Sequence, residues 1–159
     1  MSQLNESILV VDDDINVRKT LCSILLNEGY LVETVENGKR AIRALEKAYF
    51  DLALIDIELP DMKGTELLLR LKEKQPKMVK IIITGFPSLE NAVETVNEGA
   101  NGYVLKPFNA EELLKMIRKQ LDERATEQLR TWIEKSEIER KNAIFSEQFK
   151  KPKGSLFSH

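Results

Sequence analysis

Four short stretches of the chain end in residues able to do chemistry. Ile8-Leu9-Val10-Val11 leads into Asp12-Asp13-Asp14, and Leu52-Ala53-Leu54-Ile55 leads into Asp56. Ile81-Ile82-Ile83 ends at Thr84, and Val104-Leu105 ends at Lys106-Pro107. Carboxylates brought close repel each other and invite a hard divalent cation with oxygen ligands. Mg2+ suits such a group, because it keeps several waters and needs only one or two carboxylates beside a phosphate. Thr84 adds a hydroxyl, and Lys106 adds a compact cation able to hold a phosphate oxygen. A carboxylate nucleophile, a metal, a hydroxyl and an ammonium together describe phosphoryl transfer. Taken singly these residues say less. An acidic trio is more simply a helix cap, a reading that Asp14 keeps, and Thr84 alone is a strand end.

The chemistry requires elements that bring the four stretches together. Unbroken apolar runs closed by a polar residue read as strands buried on both faces. Strands are expected at 7–12, 31–35, 52–57, 79–84 and 102–105, with Glu33 and Glu36 marking the second as an edge. Amphipathic stretches alternate with them, the pattern of a parallel α/β sheet. The first helix is expected at about 15–28, stopped by Gly29, and Asn37 caps the second, with Ala41, Ile42, Leu45 and Ala48 inward. A third runs from Gly64 to about Lys74 with Leu67, Leu68 and Leu71 inward, and a fourth follows Ser88 with Ala92, Val93 and Val96 inward. Asn109 and Glu112 form a capping box for the last, which carries Leu113, Leu114, Ile117 and Leu121. The fold class is α/β, a flavodoxin-like (βα)5 doubly wound sheet of order 2-1-3-4-5. That order sets the ends of strands one and three side by side at the switch point, where ligands bind.

Composition bounds the remaining classes. The chain has 159 residues, 42% hydrophobic and 31% charged, with a formal net charge of −2. This gives no general pull toward nucleic acid, and none is expected to bind directly. No apolar run reaches the roughly 20 residues of a membrane helix, and the first residues lack signal-peptide features. The single Cys22 permits no internal disulfide, in keeping with a cytoplasmic location. Between Asn109 and Lys151 there is neither glycine nor proline, so the last helix is expected to run to about residue 140 or beyond. Leu121, Ala125, Leu129, Trp132 and Ile133 continue its apolar stripe. The expected organisation is a domain over 1–121, a helical extension or linker over 122–150 that is a candidate coiled coil, and a disordered tail over 151–159.

The motifs as a set resemble those of the receiver domain of two-component response regulators. They are Val10-Val11-Asp12-Asp13, Asp56 with Leu59-Pro60-Asp61-Met62-Lys63-Gly64, Ile83-Thr84-Gly85, and Gly102-Tyr103-Val104-Leu105-Lys106-Pro107-Phe108. The wording of residues 84–93 is most similar to receivers of the NtrC type and of hybrid histidine kinases. The resemblance covers about residues 6–121.

It implies that Asp56 accepts a phosphoryl group from a sensor histidine kinase or phosphotransfer protein. Asp13, Asp56 and the backbone carbonyl of Glu58 would bind Mg2+, with Asp12 acting through water. Lys106 would contact the phosphoryl group, and its bond to Pro107 would be cis. Thr84 and Tyr103 would be the switch residues, rearranging the face made by helix four, strand five and helix five. Phe86 would cover the approach of water. A homodimer through residues 110–140 is a further expectation. The residues after Leu121 are too few for a typical output domain, so the leading reading is a signalling module without one, not an enzyme acting on other substrates. The alternatives are the N-terminal receiver fragment of a longer NtrC-like transcription regulator and, from another class, a Mg2+-dependent aspartyl phosphatase. The second aspartate of the latter's motif is missing from Asp56-Ile57-Glu58.

Overall fold

A computed structural model describes residues 5–85 and 88–149. The chain divides into two compact units, Met1–Asp122 and Glu123–His159. The expectations about Phe86 and about a tail over 151–159 fall outside the described residues.

In the first unit, strands β1 (Ser7–Val11), β2 (Leu31–Val35), β3 (Leu52–Asp56), β4 (Val79–Thr84) and β5 (Gly102–Leu105) alternate with helices. These are α1 (Ile15–Asn27), α2 (Gly38–Lys47), α3 (Gly64–Lys74), α4 (Leu89–Asn97) and the first turns, as far as Asp122, of α5 (Ala110–Gln148). All pairings are parallel, in the order β2-β1-β3-β4-β5. β3 and β4 are buried at every position, which explains their nearly unbroken apolar runs; β2 is an edge strand, and Glu33 within it and Glu36 just after it are exposed. One face of the sheet packs Leu9, Ala53, Ile55 and Ile82 against Leu67, Leu68 and Leu71 of α3 and Ala41, Ala44 and Leu45 of α2. The other packs Ile8, Leu54 and Ile81 against Leu21 and Leu25 of α1 and Leu113, Ile117 and Leu121 of α5.

Helix starts follow their caps. The Asp14 side chain accepts from the Asn16 amide, Asn37 from Arg40 and Asn109 from Glu112. Gly29 follows α1 with φ of 96°, a left-handed conformation that favours glycine. Strands β1 and β3 each stop one residue before the expected end, at Val11 and Asp56.

Two helix faces differ from expectation. On α2 Ala41 is inward as expected and Ala44 joins it, whereas Ala48 is exposed at the C-cap, where the helix has already turned to extended backbone. On α4, Val93 and Val96 are exposed, whereas Thr95 is fully buried with its hydroxyl donating to the Ala92 carbonyl. That internal bond satisfies the threonine and lets it point into the domain.

In the second unit the described residues continue as helix to Gln148, within the expectation of a helix reaching about 140 or beyond. Leu129, Trp132 and Ile133 are exposed, Trp132 to 65%. Arg130 pairs with Glu127 at 3.0 Å, and the Phe145 and Phe149 rings lie 4.6 Å apart. No described helix is long and apolar enough to cross a membrane.

Candidate functional site

The carboxyl ends of β1, β3, β4 and β5 bring the chemistry-bearing residues together. Asp12 follows β1 and its amide donates to the Val35 carbonyl, extending the β1–β2 pairing by one bond. Asp12 and Asp56 are buried and Asp13 is exposed, and one carboxylate oxygen of each lies within 4.8 Å of the others. Thr84 is fully buried at the end of β4, and its carbonyl accepts from the Lys106 amide at 2.8 Å. Lys106 follows β5, and its peptide bond to Pro107 is cis.

The Lys106 Nζ donates to Asp12 Oδ2 at 2.8 Å and to Asp56 Oδ2 at 3.0 Å. One ammonium thus compensates two buried carboxylates that would otherwise repel each other. Asp56 Oδ1 is held separately, by the Glu58 amide at 3.0 Å. Burial pushes the Asp56 carboxyl above the ordinary carboxylate range against the pull of the Glu58 amide and Lys106, and Asp12 adds to the rise. Burial alone would lower Lys106; its bonds to Asp12 and Asp56 outweigh that and raise it. Asp12 Oδ1 accepts from the Asp14 amide, so both its oxygens are bonded. Asp14 acts as the α1 cap and lies outside the cluster.

The cluster fits a hard cation by its donor set: three carboxylates, all oxygen, from two adjacent strand ends. The Glu58 side chain is exposed, at the rim of a cavity of about 450 Å3 also lined by Leu59, Lys63, Thr65 and Glu94. The Tyr103 ring packs against the α2–α3 face of the core, and its buried hydroxyl has no hydrogen-bond partner among the described residues.

The match to known proteins rests on this same region. The family model for the response regulator receiver domain matches residues 8–118. The chain belongs to the response regulator receiver family. It is 37% identical over 113 residues to the transcriptional regulatory protein ZraR of Klebsiella oxytoca, covering 71% of this chain and 26% of that protein. Among solved structures it resembles a CheY-like receiver domain protein from Methanospirillum hungatei JF-1, with a TM-score of 0.75 and 44% identity over 77% of this chain and 98% of that one. It also resembles the beryllofluoride-activated NtrC4 receiver domain dimer, with a TM-score of 0.71 and 32% identity over 74% of this chain and 98% of that one. The chain spans about a quarter of the length of ZraR. The receiver domain is a signalling domain of two-component systems, and the flavodoxin-like sheet order is that of this family.

Two neighbours of the site received no role from the sequence, although Asp61 stands within one of the motifs. Arg18 Nη1 donates to the Asp12 carbonyl at 2.7 Å, one helical turn into α1. Asp61 Oδ1 and Oδ2 each accept an amide, from Gly38 and Lys39, at 2.9 Å. The available signal for Asp61 was the uncovered first turn of α2, since a helix start attracts carboxylate. Nothing in the spacing said which carboxylate would reach it.

Proposed function

We propose that Asp56 is the phosphoacceptor of this receiver. The observation that carries the reading is the division of its carboxylate, with Oδ1 on the Glu58 amide and Oδ2 on Lys106, at the sheet's switch point. In the proposed reaction an Asp56 oxygen attacks the phosphorus of a phosphohistidine on a sensor histidine kinase or phosphotransfer protein. The new O–P bond forms as the P–N bond breaks, and the imidazole nitrogen leaves with the electron pair. Lys106, already against Asp56, is placed to take a phosphoryl oxygen in exchange for a carboxylate oxygen. Asp13, Asp56 and the Glu58 carbonyl would hold Mg2+, with Asp12 acting through water, and the ion would screen the acids from the incoming anion. Thr84 would then bond the phosphoryl group and Tyr103 would follow it, biasing the face of α4, β5 and α5, where Val93, Val96 and Leu105 are exposed. A cytoplasmic location accords with a kinase donor.

The test is mass measurement after treatment with acetyl phosphate. One phosphoryl group should be gained with Mg2+ and none without it, and Asp56→Asn should abolish the gain. Labelling of the Asn variant to the same stoichiometry would overturn the assignment.

The extension supports a second element of the proposal, a homodimer through residues 110–140. Exposed Leu129, Trp132 and Ile133 on a helix of this length need a partner, since an isolated helix in water is marginal. The likeness to an activated receiver that is itself a dimer favours a second copy as that partner. Leu129→Ala with Trp132→Ala should give a monomer still phosphorylated on Asp56. Wild-type protein sedimenting as a monomer at high micromolar concentration in both states would remove the dimer. The share of ZraR that the chain covers also supports a second reading, a receiver belonging to a longer NtrC-like transcription regulator. The length of the gene decides that.

A further inference from the structure

We infer that the amino end of α2 positions the phosphoacceptor: Asp61, bonded to the Gly38 and Lys39 amides, holds the β3–α3 loop so that the Glu58 amide stays on Asp56 Oδ1. The inference rests on the role proposed for Asp56 and adds what fixes that group's orientation.

The loop from Ile57 to Gly64 is fastened at two places. At its base the Gly64 amide donates to the Ile57 carbonyl at 3.0 Å, and Glu58 and Lys63 form an antiparallel bridge. A Cβ at Gly64 would lie 2.6 Å from the Ile57 Cα, so only glycine lets the loop close this tightly. At its tip Asp61 accepts the Gly38 and Lys39 amides through separate oxygens, both at 2.9 Å. Met62 packs on the same glycine; a Cβ at Gly38 would meet its Sδ at 2.5 Å.

The division of labour at the start of α2 is informative. Asn37 covers the Arg40 amide, and Asp61 covers the two amides before it. Asp61 is itself exposed, so its bonds bury no apolar surface. A slight burial cost to its carboxyl is outweighed by the two amides, which hold it below the ordinary carboxylate range. What the pair of bonds accomplishes is to tie the loop to a helix outside it. Three residues before Asp61 in that loop is Glu58, whose amide holds the Asp56 oxygen that Lys106 does not touch. Without the tie, the tip keeps only the Met62 packing on Gly38, and the Glu58 amide, held then from the loop base alone, restrains the nucleophile less firmly.

Three variants separate positioning from plain helix stability. Asp61→Ala removes both bonds, Asp61→Asn leaves a single acceptor oxygen, and Asn37→Ala removes the other cap of the same helix without touching the loop. Labelling of Asp56 by acetyl phosphate at saturating Mg2+ should slow about tenfold in Asp61→Ala and by less in Asp61→Asn, the range expected when a supporting hydrogen bond is lost. Asn37→Ala should lower the thermal midpoint comparably and label at the wild-type rate. Hydrogen exchange of the Glu58 amide, followed by NMR without Mg2+ or donor, should accelerate in Asp61→Ala and not in Asn37→Ala. Should Asp61→Ala fail to fold, Asp61→Asn and Gly38→Ala, which displaces Met62, carry the same two measurements. Unchanged labelling and exchange in the Asp61 variants would overturn the inference, as would equal slowing in Asn37→Ala. Absence of Asp56 labelling in the wild type would instead sink the phosphoacceptor reading and leave the exchange measurement to decide the positioning alone.

Discussion

Two lysines are withdrawn from water near opposite ends of the same sheet, and they meet different company. Lys106 follows β5 at the carboxyl edge and reaches two carboxylates. Lys80, second in β4, is 3% exposed; its Nζ donates to the Met78 carbonyl at 2.9 Å and, among the described residues, forms no ion pair. Burial lowers its ammonium below the ordinary lysine range, and Lys72 nearby adds to the drop. Lys106 moves the other way because Asp12 and Asp56 outweigh its own burial. A shifted lysine alone therefore does not mark a site. What marks the carboxyl edge is a set of opposite charges that are buried together, compensate each other and lie where a ligand can enter.

Removing Lys106 should break the comparison most visibly. From the sequence alone, Lys106→Ala is expected to fold normally, since an ammonium at a strand end contributes little packing. The structure adds two buried carboxylates that lose their cation. The variant should lose roughly 2 to 3 kcal/mol of stability in the absence of divalent ions, less than the roughly 3 to 5 kcal/mol of a fully buried pair because the Lys106 side chain is partly exposed. Mg2+ should restore much of that loss, because binding to the native state alone stabilises it. Phosphorylation-dependent dimer formation should fail in this variant. Melting curves with and without Mg2+, beside sedimentation of the labelled protein, give the answer. A midpoint equal to wild type in both conditions would mean that the two acids do not need the lysine.

Lys80→Met should act in the opposite sense. Replacing a buried ammonium by an apolar chain of similar length should stabilise the domain by about 1 to 2 kcal/mol at neutral pH, with no dependence on Mg2+. Below the lowered native value both native and unfolded states hold the proton, so the cost of burial is fully present. Between that value and the ordinary 10.5, the native state sheds its proton first and wild-type stability rises with pH. The advantage of Lys80→Met should shrink across that window. A gain that does not change with pH would place its origin in packing and not in charge.

Legibility in the sequence followed the range of the interactions. Periodicity and turn residues give all ten elements, because the apolar runs of β1, β3 and β4 and the caps Asp14, Asn37 and Asn109 act within a few residues. The site was legible as a set because each reactive residue closes an apolar run, and the sheet order then brings them together. Side-chain direction was less legible. Val93 and Val96 look inward by type, yet Thr95 takes the buried position, since the face that α4 turns to the sheet is fixed by tertiary packing. Lys80 interrupts an apolar run and could have been read as marking an exposed edge. Its neighbours include Lys72 of α3 and Gly99 just past α4, which no window along β4 contains. Asp61 was hidden for the same reason, with its partners more than 20 residues away.

The smallest effect is expected at Glu58, and it sharpens the contrast between charge that is buried and charge that is not. Its backbone serves the site through the amide on Asp56, while its side chain is exposed two residues past the nucleophile. An exposed carboxylate contributes little to folding, so Glu58→Asn should shift stability by no more than about 0.5 kcal/mol. The amide remains in either residue, so Asp56 keeps its restraint. What changes is the field met by an anion approaching Asp56. An anionic phosphoryl donor is repelled by the carboxylate, so Glu58→Asn should be labelled faster by acetyl phosphate. The effect should fade as salt is raised, because an exposed charge is screened over roughly 10 Å at 0.1 M. The lifetime of the phosphorylated state should change as well, since water reaches the acyl phosphate past the same side chain. Labelling rates at two ionic strengths and the dephosphorylation half-life test this directly. Rates and half-lives equal to wild type under all conditions would confine Glu58 to the contribution of its backbone.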